Sequence, residues 1–218
     1  MLFNKSFLTL IVFLLSMGAA CGANEKAPET SVNGAGNKNP LVTMTMDNGK
    51  KIYIELYPDV APNTVNNYIS LIKQGFYDGV IFHRVIPGFM IQGGDPLGSG
   101  QGGPGYNIFG EFTNNGFENN LKHKRGVLSM ARRGDQLNPS SAYNTAGSQF
   151  FIMAADSTHL DKDYAAFGAV IGGTDVVDQI VGAQRDAYDK PVKEQKIKSM
   201  GVETYGVDYP EPEIIPND

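Results

Sequence analysis

Hydrophobic and polar positions alternate in short runs along most of this chain, and only two stretches carry the longer period of a helix. Leu41–Met46 and Lys51–Leu56 alternate as strands joined at Asp47-Asn48-Gly49. Asn-Gly favours a tight hairpin there, because both residues accept positive φ. Ala61–Gln74 reads as a helix: Pro62 suits its first turn, Val65, Tyr68, Ile69 and Ile72 share one face, and Gly75 supplies the stop. Thr174–Val181 reads as a second helix, with Thr174 as N-cap, Val177, Ile180 and Val181 inward, and Gly182 past its end. Gly126–Ala131, Ser148–Ala154, Phe167–Ile171 and Lys196–Glu203 complete a set of short strands. Many short strands, two helices and no parallel βαβ rhythm predict a mainly β protein, a closed antiparallel barrel.

One strand breaks its own pattern. In Phe82–Asp95 (FHRVIPGFMIQGGD) a single arginine, Arg84, sits within an apolar run. Alternation puts Phe82, Arg84 and Ile86 on one face and His83 and Val85 on the other. Pro87-Gly88 makes a turn, and the chain returns through Phe89-Met90-Ile91-Gln92. A guanidinium on an apolar strand needs a partner or a task. The strand pattern alone allows either a salt bridge at the sheet edge or a functional group.

The loops narrow the chemistry. Seven glycines fall between Gly93 and Gly105, and Gly98–Gly103 fits GxGxxG. Pro104-Gly105 stands where a phosphate-binding helix would begin, so a packed surface loop is the reading and a dinucleotide site is not. Arg132–Gly147 is polar and long enough to be a functional loop. His83, His123 and His159 share no metal-ligand spacing, no serine sits in a nucleophile elbow, and no metal or other cofactor is expected. The net charge of −5 and the absence of a long basic run argue against nucleic acid as a partner.

FHRVIPGFMIQGGD resembles the signature of the cyclophilins, the barrel-shaped peptidyl-prolyl isomerases. Further pieces follow in the family's order: Gly110-Glu111-Phe112, Gly126–Ala131, Gly147–Ile152 and Phe167-Gly168. The resemblance implies a closed eight-stranded antiparallel barrel with a helix over each open end. It also implies catalysis of X–Pro rotation on proline-containing polypeptides. By position, Arg84 is the catalytic arginine and Gln92 the glutamine that orients it. Phe89, Met90, Phe151 and Leu160 would seat the proline ring. Ala131 and Arg132 lie where the family's backbone grips the residue before proline, although asparagine is common at the second position. Gln149 matches a groove-lining residue. Tyr164 falls where many eukaryotic members have histidine, and His159 where cyclosporin-sensitive members have tryptophan. The chain has no tryptophan, so weak cyclosporin binding is expected. A binding module using the same groove, or a surface-interaction protein using the 132–147 loop, is the alternative to an enzyme.

The ends of the chain point to a location. Lys5, an apolar core from Phe7 to Leu15 and the small residues Gly18-Ala19-Ala20 make residues 1–20 a secretory signal peptide in form. Its core is too short for a lasting membrane span. Small residues ending in Cys21, the sole cysteine, resemble the bacterial lipobox, with Gly18 where that motif usually has leucine. Lipidation of Cys21, or ordinary cleavage leaving a free thiol, follows. Residues 21–38 read as the lipidated cysteine and a flexible linker of roughly 20–25 Å mean reach. Residues 39–205 form the isomerase domain and 206–218 an acidic proline-rich tail, extended or disordered. The expectation is an exported bacterial protein, lipid-anchored on the extracytoplasmic face of the cell membrane. It would be a monomer acting on unfolded exported clients.

Overall fold

The computed structural model describes Met1, residues 27–134 and residues 137–217. The signal-peptide and Cys21 readings therefore lie outside the described residues. An eight-stranded antiparallel sheet dominates, built from β1 (Leu41–Met46), β2 (Lys51–Leu56), β3 (Arg84–Ile86), β4 (Met90–Gly93), β6 (Val127–Met130), β7 (Phe150–Met153), β8 (Ala166–Gly172) and β9 (Ile197–Glu203). A short pair, β5 (Tyr106–Asn107) and β10 (Ile215–Pro216), stands apart from it. Among the described residues two helices, α1 (Pro62–Lys73) and α2 (Thr174–Val181), and three short 3-10 turns complete the regular structure.

The expected closed barrel is corrected to an open, strongly curled half-barrel. The strand order is β3-β4-β7-β6-β8-β2-β1-β9, which leaves β3 and β9 as edges. β3 has three residues, and its Val85 N–H donates to Asp189 O rather than to β9. The β9 end instead meets the chain before β3, through the isolated Ile81–Lys196 bridge and backbone bonds from Phe82 N–H to Gln195 O, from Gly79 N–H to Ile197 O and from Ile197 N–H to Val80 O.

Alternation explains which residues fill the interior. Val42, Met44, Ile52, Ile54, Leu56, Ile91, Leu128, Phe150 and Ile152 point into the main core, against Val65, Tyr68, Ile69 and Ile72 of α1. Tyr68 lies edge-on to Phe150 and Phe167, with ring centroids 5.4 and 5.1 Å away. The α1 N-terminus has no cap of its own at Ala61. Glu111 supplies one from a distant loop, accepting from Asn63 N–H at 3.0 Å and from Thr64 N–H and Oγ1 at 2.7 and 2.6 Å.

Several local expectations change. The first hairpin turns through Asp47-Asn48-Gly49 as expected, but only Gly49 takes positive φ, 81°, and Asn48 does not. Gly173, not Thr174, is the N-cap residue of α2, at φ 76°. Residues 27–38, expected to be flexible linker, are tied down: Ser31 donates through its N–H and Oγ to Glu55 Oε1, both at 2.6 Å, and Gly34 N–H to Asp59 at 2.6 Å. The tail is extended and docked. Asn63 and the Glu213 backbone exchange two hydrogen bonds at 2.9 and 2.8 Å, and Ser70 Oγ donates to Glu211 at 2.7 Å.

Candidate active site

Arg84 and Gln92 face each other across the β3–β4 hairpin as directly paired residues. Phe82 does not share the arginine's face as alternation implied. It precedes the strand, where the backbone is irregular, and is fully buried, whereas Arg84 is exposed. Among the described residues no carboxylate lies within ion-pair distance of Arg84. The edge salt bridge allowed by the sequence is therefore not what holds it. Its Nη1 reaches Gln92 Oε1 at 3.4 Å, a long and easily tightened bond.

The orientation of that glutamine is dictated from behind. Gln149 Nε2 donates to the carbonyls of Gly100 and Gly102 at 3.0 and 2.9 Å. Carbonyls only accept, so the Gln149 amide has one satisfactory orientation, with Oε1 turned to Gln92. Gln92 Nε2 donates to it at 3.0 Å, which leaves Gln92 Oε1 facing the guanidinium. The two carbonyls belong to the glycine-rich loop, which is folded around Asp95. That carboxylate accepts from the N–H groups of Leu97, Ser99 and Gly100 at 2.7, 2.8 and 2.5 Å. Burial raises the Asp95 pKa, but these backbone donors outweigh it and hold the group below its ordinary value. Gly94, at φ 85°, leads into the loop, and a Cβ there would collide with Ser148 O. The loop has no helix after it, as the GxGxxG exclusion requires.

The other side of the hairpin is apolar. Gln92 pairs with Phe151, and Met90 with Met153, across β4–β7. These residues alternate with the core-facing Ile91, Phe150 and Ile152, so they emerge on the opposite face of the sheet. There Met90, Phe151, Met153 and Leu160 form a second cluster, rimmed by Phe89, Ala131 and Tyr164. Tyr164 meets Phe151 edge-on at 5.7 Å, and His159 stacks on Phe89 at 5.7 Å. Every expected proline-seat residue is thus in one place. Arg132 stands beside it, with its guanidinium 4.7 Å from the Tyr164 ring and 5.2 Å from that of Tyr143, and its Nε donating to Asp163 O at 3.2 Å.

Sequence reasoning missed what stands behind Phe151. The His123 ring stacks on it at 6.1 Å and 21°. His123 Nδ1 meets Asp161 Oδ1 at 3.1 Å, and Nε2 meets Ser129 Oγ at 3.1 Å. Burial lowers the His123 pKa, and Asp161 opposes that only in part. The set has the residue types of a hydrolytic triad, but Ser129 is 0% exposed and unreachable by substrate. It is a buttress for the ring. The signal available in sequence was Ser129 among apolar strand residues, a polar group that must be paired.

A cavity of about 660 Å³ opens on the far side of Gln92 and Gln149, bounded by the glycine-rich loop, Ala131–Arg133, Thr145 and Asn217. Among the described residues no three His, Cys, Asp or Glu side chains converge as a metal site, and no helix is long and apolar enough to cross a membrane.

Residues 41–202 match the family model described as cyclophilin type peptidyl-prolyl cis-trans isomerase/CLD. The chain belongs to this family and is an isomerase of the peptidyl-prolyl cis-trans type. It is 44% identical over 148 residues to peptidyl-prolyl cis-trans isomerase ppi1 of Schizosaccharomyces pombe, covering 67% of this chain and 89% of that one. It is 45% identical over 150 residues to peptidyl-prolyl cis-trans isomerase-like 2 of Rhizopus delemar, covering 68% of this chain but spanning only 26% of that relative's length. A crystal structure of a Cryptosporidium parvum cyclophilin type isomerase superposes with TM-score 0.66 at 33% identity, over 76% of this chain and 97% of that one. The same protein has been crystallised in the presence of the dipeptide Ala-Pro, with TM-score 0.65. Proline-containing peptides are what this family binds.

Proposed function

We propose that Arg84, Gln92 and the apolar cluster carry out the isomerisation of X–Pro bonds, and that the protein does so on exported polypeptides while anchored at the cell envelope. The observation that carries the catalytic part is the arginine held at the lip of an apolar seat by a glutamine whose orientation is fixed. The reaction breaks no bond. It rotates an amide over a barrier of about 18–20 kcal/mol, and at the twisted geometry the amide nitrogen regains a lone pair. A donor aimed at that nitrogen binds the twisted state better than either planar one, and that difference accelerates rotation. The Arg84 guanidinium holds several donors in a rigid fork that can be aimed at that nitrogen. Phe89, Met90, Phe151 and Leu160 hold the proline ring, Ala131 and Arg132 take the residue before it, and Gln149 keeps Gln92 in place. The test is the isomerisation rate on a short proline peptide, wild type against Arg84→Ala. Strong acceleration that largely disappears in the variant supports the assignment; equal weak rates from two folded proteins would make the groove a binding site only.

The location rests on residues 1–21. A basic start, a short apolar core and small residues before a sole cysteine support export and lipidation of Cys21, the form of a bacterial lipoprotein. Palmitate labelling of the full chain, lost in Cys21→Ser, is the expected result; a released, unlabelled protein would refute the anchor. His159 in place of an indole donor supports weak cyclosporin inhibition, and inhibition as tight as that of sensitive members would refute it.

A further inference from the structure

Residues 27–38 carry no part of the proposed reaction, yet they are fixed to the domain along a defined line. Val42, Ile52 and Ile54 face the core, so Tyr53 and Glu55 emerge on the outer face of the sheet. Both are nevertheless buried, at 4% and 6% exposure. Pro28 packs at one end of this line: a Cβ on Gly172, the partner of Tyr53, would stand 3.4 Å from its Cγ. Further along, Glu55 Oε1 accepts from Ser31 N–H and Oγ at 2.6 Å and from Asn39 Nδ2 at 3.2 Å. Asp59 accepts from Gly34 N–H at 2.6 Å. The segment also closes on itself, with Asn33 N–H donating to Asn37 O at 2.8 Å and Asn39 N–H to Ser31 O at 2.9 Å. All of it precedes residues 41–202, which match the family model.

This attachment shortens the tether. Residues 22–26 separate Cys21 from Ala27, and the six Cα steps between the two span at most about 20–22 Å. A folded domain of residues 39–205 has a radius of gyration of roughly 15 Å, so it is about 40 Å across. A tether half as long as the domain is wide keeps Ala27 on the half that faces its anchor, and the domain cannot turn over. β8 gives the direction of the rest. Its last residue, Gly172, lies against Pro28, while its first, Ala166, belongs to the apolar cluster of the proline seat. Six steps of strand put about 20 Å between them. Charges at the Gly172 end are mixed, with exposed Lys50 and Lys51 against exposed Asp47 and Asp175. Attraction to anionic lipid therefore gives this end no strong pull of its own.

We propose that residues 27–38 are a strap that orients the anchored domain on a lipid surface. It holds the Gly172 end of the sheet and the start of α2 towards the lipid, and the proline seat away from it. The proposal rests on the reading of Cys21 as a membrane anchor. Its consequence is a groove that opens to the surrounding compartment and takes polypeptides from there, not segments lying at the membrane surface.

The chain has no tryptophan, so a single introduced indole reports one position. The full chain carrying either Asp175→Trp, in the first turn of α2, or His159→Trp, at the rim of the proline seat, is placed on vesicles containing a dansyl-labelled phospholipid. Energy transfer is expected to be several-fold greater from the first than from the second, and unchanged by high salt. Glu55→Ala combined with Asp59→Ala releases the strap and should bring the two transfers together. Where that pair unfolds the domain, an insertion of about 20 Gly/Ser residues after Cys21 adds roughly 25 Å of reach and should do the same with the strap intact. Equal transfer from the two positions, or greater transfer from His159→Trp, would overturn the orientation. A difference that survives release and insertion, or that high salt erases, would overturn the strap as its cause. Flotation with the vesicles tests the anchor separately. If the chain does not float, the anchor reading falls; Cys21, the sole cysteine, is then coupled to a maleimide phospholipid, and the same comparison decides the orientation.

Discussion

The two sides of the Arg84–Gln92 pair are built by opposite means. The apolar side, the proposed proline seat, is made mainly by packing, with side chains from β4, β7 and the 158–160 turn burying one another. The cavity side is made by directed bonds: Asp95 gathers a loop, the loop carbonyls set Gln149, and Gln149 sets Gln92. A packed wall loses stability when cut, because a void remains. A bonded wall loses alignment, because each group's direction depends on the one behind it. Substitutions on the two sides should therefore fail in different ways.

The largest effect is expected on the packed side. Phe151→Ala removes a ring that is 5% exposed, and should destabilise the fold by about 3–5 kcal/mol in denaturant unfolding. A loss under about 1 kcal/mol would mean that His123 and Tyr164 collapse into the space. Next comes Arg84→Ala, expected to lower kcat/KM by roughly 10- to 150-fold, the value of one charge-assisted hydrogen bond made only at the twisted amide. Its unfolding midpoint should hardly move, since the side chain is exposed and carries no ion pair among the described residues; a large shift would assign it a structural role. Gln149→Leu should act through alignment: roughly 5- to 13-fold off kcat, in line with about 1–1.5 kcal/mol for one internal hydrogen bond. Wild-type kcat in that variant would show that Gln92 needs no support.

The smallest and most general effect is on pH. Burial lowers the pKa of both His83 and His123, opposed only in part by Asp95 and Asp161 respectively. Both stay neutral in the folded protein while the unfolded chain begins to take up protons near pH 6.5. Stability is therefore complete above that pH and should fall as pH drops through the window between the unfolded and folded values. Melting temperature against pH is the measurement. A profile flat from pH 7 to 5 would contradict it.

The packed side was the more legible in sequence. Strand alternation places Met90, Phe151 and their neighbours opposite the core residues Ile91, Phe150 and Ile152, and the resemblance supplies the site. The irregular backbone at Phe82–His83 was not legible, because alternation assumes a strand that in fact begins at Arg84. Nor was the open seam, since the pattern counts strands but does not say which edges meet. The docked segments escaped for another reason. Residues 27–38 and the tail are polar and aperiodic, so their attachment depends on single distant partners, Glu55, Asn63 and Ser70, that no local pattern announces.

The pairing of β1 with β9 also governs how the molecule comes into being. Leu41 lies opposite Glu203 and Met44 opposite Met200, so one of the earliest strands made needs one of the last. On a ribosome the first hairpin emerges with both outer edges unsatisfied, β1 lacking β9 and β2 lacking β8, and waits for almost the whole domain to follow. Such long-range closure makes assembly slow compared with a helical bundle. This protein, whose proposed work is to hasten the maturation of others, completes its own sheet only once residues 197–203 are available to residues 41–46.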